Sequence, residues 1–262
     1  MTPELRTRLR AHLLASRISG DTGTLRGHCV YNAEALADGD PDKFLGVGAR
    51  GRDAAGIMRA VAALCGCSES LEERDGPGVI DPDRTLAGLE ALGDRLGDAA
   101  AAGERLLIVT GHPSGLLPLY QALARALSDK GARLLTPMED VDLRPPDGRS
   151  NRWWFRYFDG VAVLLGGVDL VHTHESWPMD ALLDSPEVPD LVLADHGFAG
   201  AAATRGFDTA CLTDVNDPAI AVAWEDGLIG CAVPLDDNLP PRAYAPLQEY
   251  LVGRIAGAGR NG

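Results

Sequence analysis

The second half of the chain alternates short apolar runs with stretches that read as helices. Strand-length apolar runs occupy six segments, 106–111, 132–137, 168–172, 191–194, 209–212 and 228–233. Apolar runs of about four to eight residues, bounded by turn residues, are typical of strands that are buried on both faces. The alternation therefore predicts an α/β fold, with a mostly parallel sheet and helices on both of its faces.

The segments between these runs complete the predicted pattern. Helices are expected at 116–128, 178–184, 218–225 and 242–256, with a short one near Ala199. The aromatic and apolar stretch at 152–165 predicts a hairpin or a meander. The aromatic run from Trp153 to Tyr157 could line a ligand site. Strands also use such residues for packing alone, and we expect a core role.

The first hundred residues show a different pattern. Leucines and arginines alternate at helical spacing over 3–17, and helices are also predicted at 54–64 and 82–102, the last one capped by Asp81 and opened by Pro82. Residues 18–52 are rich in Gly and Asp and predict a long irregular segment. We therefore expect one α/β domain over 1–262, in which residues 1–103 pack on a sheet core formed by 104–262.

Composition narrows the classes of partner and compartment. A net charge of −14 argues against nucleic acid or an anionic membrane as partner, since both require a basic face. The cysteines are five, an odd number, and they predict reduced thiols in a cytoplasmic protein. No apolar run approaches the roughly 20 residues of a membrane span, and the N-terminal arginines favour a helix over a signal peptide.

Four clusters of His, Asp and Asn directly follow predicted strands. They lie at 109–117, 171–177, 193–200 and 212–219. In an open parallel sheet, ligands bind in the crevice outside the carboxyl ends of the strands, so polar groups placed there converge although they are far apart in sequence. This edge of the sheet is the predicted active site.

The first cluster is a glycine-containing turn between a strand and a helix. It contains Gly111, His112, Ser114 and Gly115, and its backbone N–H groups would face an anion at the start of the helix. The turn is not a P-loop, because no Lys-Ser/Thr pair follows it. We predict that these four residues contact a phosphate; the alternative is a tight turn that binds nothing.

Histidines are concentrated at the predicted strand ends. His172 and His174 are two residues apart, and alternation along an extended chain places both on one side. His112 and His196 follow two other predicted strands, so four of the six histidines share this edge. Neutral imidazole is a common metal ligand and proton carrier, and we predict that His172, His174 and His196 are catalytic.

Carboxylates accompany the histidines. Asp195 and Asp214 end two predicted strands, and Asp236 or Asp237 follows a third. Because hard divalent cations prefer oxygen ligands, Asp195, Asp214 and Asp237 are the predicted ligands of Mg²⁺ or Mn²⁺. Asp217 precedes Pro218 and is interpreted as a helix N-cap.

Three further residues are candidates for substrate binding. In a chain with this net negative charge, a phosphate must be bound by individual positively charged or N–H groups. Arg17 or Arg26 could bind a phosphate through two parallel hydrogen bonds. A solvated surface role is the alternative for both arginines. Asn216, within the cluster at 212–219, is the third candidate.

Seven motifs together carry a family resemblance. They are S-R-I-S-G-D (16–21), L-A-D-G-D-P (36–41), G-H-P-S-G-L-L (111–117), H-T-H-E-S-W-P-M (172–179), A-D-H-G-F-A-G (194–200), D-V-N-D-P-A (214–219) and V-P-L-D-D-N (233–238). Their combination resembles a family of actinobacterial cytosolic proteins known as phosphatases, over nearly the full length. A looser similarity to the D-glutamate cyclase type of domain covers the third and fifth motifs.

The resemblance and the residues together suggest a metal-dependent phosphatase. In this hypothesis a divalent cation activates water to hydrolyse a phosphomonoester of a small metabolite, a sugar phosphate or a nucleotide. No D-x-D-x-T/V nucleophile motif and no R-H-G motif is present, which favours attack by water over a phosphoenzyme. A cyclase or lyase of the D-glutamate cyclase type and a non-catalytic binding protein for a phosphorylated metabolite are the alternatives, and a homodimer is compatible with each.

Overall fold

A mixed sheet of eight strands forms the centre of the computed structural model, which describes residues 1–150 and 152–258. The chain first forms a separate antiparallel pair, β1 (Gly20–Leu25) with β2 (Pro77–Ile80). The strands of the main sheet are β3 (Arg105–Thr110), β4 (Arg133–Leu134), β5 (Trp153–Phe158), β6 (Val161–Gly166), β7 (Asp169–Leu170), β8 (Leu191–Asp195), β9 (Thr209–Thr213) and β10 (Cys231–Pro234).

The main sheet has the spatial order β10-β9-β8-β3-β6-β5, and β3 lies in its interior. Five of these six strands, from β10 to β6, are parallel to their neighbours, and β5 pairs with β6 antiparallel as a hairpin. The short β4 and β7 pair with β3 and β6. The predicted α/β class, with a mostly parallel sheet, is confirmed.

Nine helices flank the sheet in the part of the chain that the structure describes. They are α1 (Pro3–Ala15), α2 (Arg26–Ala37), α3 (Ala54–Cys65), α4 (Pro82–Ala102), α5 (Pro113–Asp129), α6 (Trp177–Leu183), α7 (His196–Thr204), α8 (Pro218–Glu225) and α9 (Ala245–Gly257). Short 3₁₀ turns form at Pro41–Lys43 and Pro241–Tyr244. None of these helices is both long and apolar enough to cross a bilayer.

The two faces of the sheet carry two separate hydrophobic clusters. Leu107 and Val109 of β3 point into one cluster with α3, α6, α7 and α8, while Leu106 and Ile108 point into the other with α1, α4, α5 and α9. This alternation is the period-2 pattern of a strand that is covered on both sides. Trp153 and Phe155 are buried in the first cluster, which confirms their predicted core role.

The prediction of a long irregular segment at 18–52 was wrong. The chain forms β1 and α2 there, and mainly residues 38–53 remain irregular. Helix α2 begins after Leu25 without a side-chain cap, so it lacks the usual starting signal. Its buried face consists mainly of Cys29, Val30, Ala33 and Leu36; tertiary packing stabilises a helix whose own pattern is weak.

Two of the predicted strands form only two residues of strand each. The run at 132–137 pairs with β3 only through Arg133 and Leu134, and the run at 168–172 forms the two residues of β7. His172 and His174 therefore lie in a non-regular segment after β7. Thr173 between them donates its N–H to the carbonyl of Gly111 at 3.0 Å, which fixes the segment against the turn after β3.

Candidate active site

The carboxyl ends of the parallel strands place four loops around one point. The loops after β3, β8, β9 and β10 carry His112, His196, Asp217 and Asp237. The segment after β7 adds His172 and His174 from the side. The predicted convergence at this edge of the sheet is therefore present in the structure, as expected for an open parallel sheet.

The four histidines form a compact group, called here the histidine cluster (His112, His172, His174 and His196). Ring centroids lie 4.2 Å apart for His112 and His172, and 4.3 Å apart for His174 and His196. His112 Nδ1 is 3.1 Å from His196 Nε2, and the Nε2 atoms of His172 and His174 are 3.2 Å apart. His112 and His196 are buried, whereas His172 and His174 face solvent.

His196 lies at a sharp turn between β8 and α7, with a left-handed backbone (φ 46°). A side chain larger than glycine is uncommon in this conformation, and such strain is concentrated at functional sites. The next residues leave room for the turn: a Cβ at Gly197 would collide with the carbonyl of His174, and one at Gly200 with the carbonyl of Leu45. The sequence H-G-F-A-G thus allows α7 to pack close to both neighbouring segments.

Two carboxylates flank the His196 ring. Its Nδ1 lies 3.0 Å from Asp217 Oδ2, and its Nε2 lies 3.5 Å from Asp237 Oδ2. Burial alone would lower the pKa of His196, but the charges of Asp217 and Asp237 raise it to about 10. Asp217 therefore fixes the orientation of the ring, and Nε2 points towards His112 and Asp237.

Asp217 occupies the N-cap position of α8, as interpreted, but its side chain has a different role. Its side chain makes no capping hydrogen bond to α8, and its carboxylate binds His196 instead. An Asp directly before a Pro at the start of a helix is also the usual sequence of a cap. Only the convergence of two distant loops, which the sequence does not show directly, distinguishes the two roles.

The site has the donor set of a metal centre. Two groups of three residues each bring one nitrogen or oxygen atom per residue within 4.8 Å of one another. They are His112, His172 and His196, and His174, His196 and Asp217. Ligands bound at about 2.1 Å to one ion lie about 3 to 3.5 Å from each other, which matches the 3.1 and 3.5 Å separations of His196 Nε2 from His112 and Asp237. Asp237 Oδ2 is buried without a hydrogen-bond partner among the described residues. These residues fit a divalent cation.

Three of the four imidazoles favour their neutral form. Burial, together with the charge of His196, lowers the pKa values of His112 and His174 to about 4 and also lowers that of His172. Neutral imidazole has a free nitrogen lone pair for a metal. Burial raises the pKa of Asp237 well above its usual range.

Asp195 supports the turn after β3 rather than joining the cluster. Its Oδ2 accepts the hydroxyl of Thr110 at 2.6 Å, and its Oδ1 accepts the N–H of Gly111 at 2.7 Å. Thr110 Oγ1 in turn accepts the N–H of His112 at 3.0 Å. The carboxylate is fully buried, so it holds the backbone that carries His112.

We expect Asp195→Asn to destabilise the fold. The amide would present an NH₂ group to either the Thr110 hydroxyl or the Gly111 N–H, and one buried donor would lose its acceptor, at about 1–3 kcal/mol. Thermal unfolding should show a clearly lower Tm than wild type. An unchanged Tm would contradict the supporting role and return Asp195 to the ligand set.

Asp214 and Asp236 connect the sheet edge to β1. Asp214 accepts the Thr24 hydroxyl at 2.8 Å and the Val215 N–H at 2.7 Å, while Asp236 accepts the N–H of Gly23 at 2.7 Å. Burial, followed by the charges of Asp217 and Asp236, raises the pKa of Asp214 to about 7. Both carboxylates are engaged by the protein, and Asp214 does not join either of the two metal-compatible groups.

The glycine turn after β3 is in close contact with the neighbouring loops. The N–H of Gly111 binds Asp195, and a Cβ at Gly115 would lie 2.6 Å from the carbonyl of Asp237. Gly115 thus permits close contact between α5 and the loop after β10. Ser114 is exposed at the first turn of α5, and His112 is the member of the turn that enters the cluster.

The two candidate arginines bind backbone carbonyls elsewhere. Arg17 binds the carbonyls of Asp21 and Thr22, and the buried Arg26 binds those of Ser70 and Glu73. Asn216 lies nearer the site. Its carbonyl accepts the side-chain N–H of Asn32 at 2.8 Å, and its side chain lines a cavity beside Asp236 and Asn238.

Comparison with known proteins gives a consistent result over almost the whole chain. The model of the family described as Phosphatase matches residues 4–259. A protein of Streptomyces coelicolor that is named a phosphatase is 38% identical over 255 residues, which cover 94% of this chain and 95% of the relative. All four histidines of the cluster, with Asp217 and Asp237, fall inside the matched span, and the chain belongs to the Phosphatase family.

Proposed function

We propose that the chain is a metal-dependent phosphatase that hydrolyses a phosphomonoester of a small metabolite. The observation that carries this proposal is the histidine cluster, with the unpartnered Asp237 oxygen at its buried side. Family membership supports the reaction class. The donor set supports a cation as the group that meets the phosphate.

Charge explains why a cation is needed. Five buried carboxylates, Asp195, Asp214, Asp217, Asp236 and Asp237, lie at this edge of the sheet. No arginine or lysine forms an ion pair with any of them among residues 1–150 and 152–258. A phosphate dianion would be repelled here unless a metal ion supplied positive charge.

We assign the metal to His112, His172 and His196, with Asp237 beside them. Asp217 binds Nδ1 of His196 and so directs Nε2 to the ion, as carboxylates commonly do behind a ligating histidine. Nitrogen ligands suit transition metals better than Mg²⁺. Of the two ions expected from the sequence, Mn²⁺ is therefore favoured, and Zn²⁺ is also compatible.

A bound divalent cation would neutralise the phosphate charge and lower the pKa of the attacking water. The chain's own residues position that chemistry. Asp217 holds the tautomer and orientation of His196, and Asp195 holds the turn that carries His112. Because His112 and His196 are buried while His172 and His174 are exposed, water would reach the site from the side of His172 and His174.

His174 is the proposed general acid. It faces solvent, 3.2 Å from His172 through their Nε2 atoms, and it lies outside the assigned ligand set. Its pKa is lowered to about 4 by partial burial of the ring against its neighbours and by the positive charge of His196. A phosphate dianion bound beside the ring would oppose both effects and raise the pKa, so that the ring carries a proton for the leaving alkoxide.

Leaving-group dependence separates His174 from His172. We expect His174→Gln to lower kcat on alkyl phosphates by about 10²–10⁴ and to spare aryl phosphates, whose phenolate leaves without an acid. His172→Gln should lower kcat on alkyl and aryl phosphates equally, because loss of a ligand weakens binding of the metal. Equal losses in both variants on both substrates would remove His174 as the acid.

Release of inorganic phosphate tests the function itself. The metal-loaded chain should release phosphate from one or more members of a panel of sugar phosphates, nucleotides and aryl phosphates, and EDTA should stop it. Turnover that resists exhaustive metal removal would contradict metal dependence. Tight binding of a phosphorylated metabolite without release would indicate a binding protein instead.

A further inference from the structure

A cavity of about 400 Å³ opens beside His174. It lies between the loop that follows α2 and the segment 174–177, which follows β7, and we call it the side cavity. It is lined by Pro41, Phe44, Leu45, Gly46, Val47, Gly48, His174, Glu175, Ser176 and Trp177. Because His174 belongs to the histidine cluster as well, the side cavity adjoins the proposed active site.

The walls of the side cavity are mainly apolar. Phe44, Leu45, Val47 and Trp177 provide most of the side chains. Glu175 is the acidic residue among the lining residues, and it is bound by Arg149 at 2.7 Å and by the indole N–H of Trp177. A bound group would therefore contact mainly carbon surface, with Ser176, Glu175 and His174 as the polar side chains of the lining.

The loop that forms one wall is held in place. The N–H groups of Val47 and Gly48 both bind the carbonyl of Phe44, at 2.7 and 2.9 Å. A Cβ at Gly46 would lie 2.8 Å from the backbone N of Ala201, so glycine is required where the loop contacts α7. The side cavity is thus largely formed before a ligand arrives, which is usual for small-molecule sites.

A second cavity near the site has a different lining. Its volume is about 410 Å³, and its polar residues are Thr24, His28, Asn216, Asp236 and Asn238. None of the four clustered histidines is among its lining residues in the described chain. It adjoins the loop after β10 through Asp236, Asn238 and Leu239.

We propose that the side cavity binds the organic group of the substrate, and that this group is apolar, such as an aromatic ring or a hydrocarbon chain, rather than a polyol. The leaving oxygen must lie next to His174, and the side cavity begins there. Mainly apolar walls bind a ring or chain through the hydrophobic effect and offer a polyol few hydrogen-bond partners. The inference rests on the proposed phosphatase function and specifies its substrate class.

Competitive inhibition by phenylphosphonate and by inorganic phosphate tests the proposal, with 4-nitrophenyl phosphate as substrate of the metal-loaded chain. The wild type should bind phenylphosphonate more tightly than phosphate by roughly ten- to fifty-fold, the value of burying one ring. Val47→Phe fills the side cavity and should remove this preference, while the inhibition constant of phosphate stays unchanged. Val168→Phe, at a position that is 95% exposed, is the matched control and should behave as wild type.

Other results would overturn the proposal. Equal inhibition of the wild type by both compounds, or a preference that survives in a folded Val47→Phe, would show that the side cavity does not hold the organic group. Loss of the preference in Asn216→Ala alone would place that group in the second cavity. If Val47→Phe does not fold, Val47→Thr keeps the side-chain shape and should weaken phenylphosphonate selectively. A metal-loaded wild type that hydrolyses sugar phosphates or nucleotides but no aryl phosphate would overturn this inference alone. A wild type that releases phosphate from no member of the panel would refute the proposed function, and this inference with it.

Discussion

Replacing His196 by Asn should abolish phosphate release, with kcat/KM lower by about a thousandfold or more. His196 is the one residue shared by both metal-compatible groups, and it is the partner of Asp217 and Asp237. Loss of a metal ligand removes several kcal/mol of transition-state stabilisation. Asn tolerates the left-handed backbone at this turn better than most residues, so we expect the variant to fold.

The matched control for this prediction is His12→Asn. His12 lies outside the cluster, where its Nε2 is 2.7 Å from the carbonyl of Ala243. The control should retain wild-type kcat/KM whatever its effect on Tm. A folded His196→Asn protein with wild-type turnover would exclude the histidine cluster as the catalytic centre.

Removal of the metal should reduce activity by a similar factor but leave the chain folded. Without a cation, the raised pKa of His196 keeps the ring protonated beside Asp217 and Asp237, and its positive charge offsets part of the carboxylate charge in the buried site. A metal present at about 100 times its Kd contributes about 2.7 kcal/mol. For a chain of this size, we therefore expect dialysis against EDTA to lower the Tm by roughly 5–10 °C.

Reloading should show the preference of nitrogen ligands. Mn²⁺ or Zn²⁺ should restore turnover at lower concentration than Mg²⁺, because imidazole is a poor ligand for Mg²⁺. Metal binding must displace the proton of His196, so the affinity should rise as the pH is raised towards the pKa of about 10. Full restoration by Mg²⁺ alone would favour the oxygen ligands Asp195 and Asp214 that the sequence suggested.

The sequence predicts the sheet and the convergence of polar side chains at its edge well because both depend on local patterns. Apolar runs identify β3, β8 and β9 within a residue or two of their ends, and residues that follow parallel strands must meet at one edge. The His-x-His pattern correctly places His172 and His174 on the same side, although β7 ends before them.

The division of roles among the carboxylates depends on contacts that local patterns do not contain. Asp195 and Asp217 follow the same kind of strand, yet Asp195 binds the turn of Thr110 and Gly111 while Asp217 binds His196. The partners of Asp195 are 84 and 85 residues away in sequence, and the partner of Asp217 is 21 residues away. The strand β1 was not predicted for the same reason, because Gly20–Leu25 has little apolar character. Its position is fixed by pairing with β2 and by hydrogen bonds to Asp214 and Asp236.

The position of a bound ion is the most direct test of the metal site. Crystals of the wild-type chain grown with Mn²⁺ and measured for anomalous scattering should show a peak about 2.0–2.3 Å from Nε2 of His196, with nitrogens of His112 and His172 and an oxygen of Asp237 around it. A peak bound by Asp195 and Asp214, or no peak in protein that releases phosphate only when Mn²⁺ is present, would contradict the account.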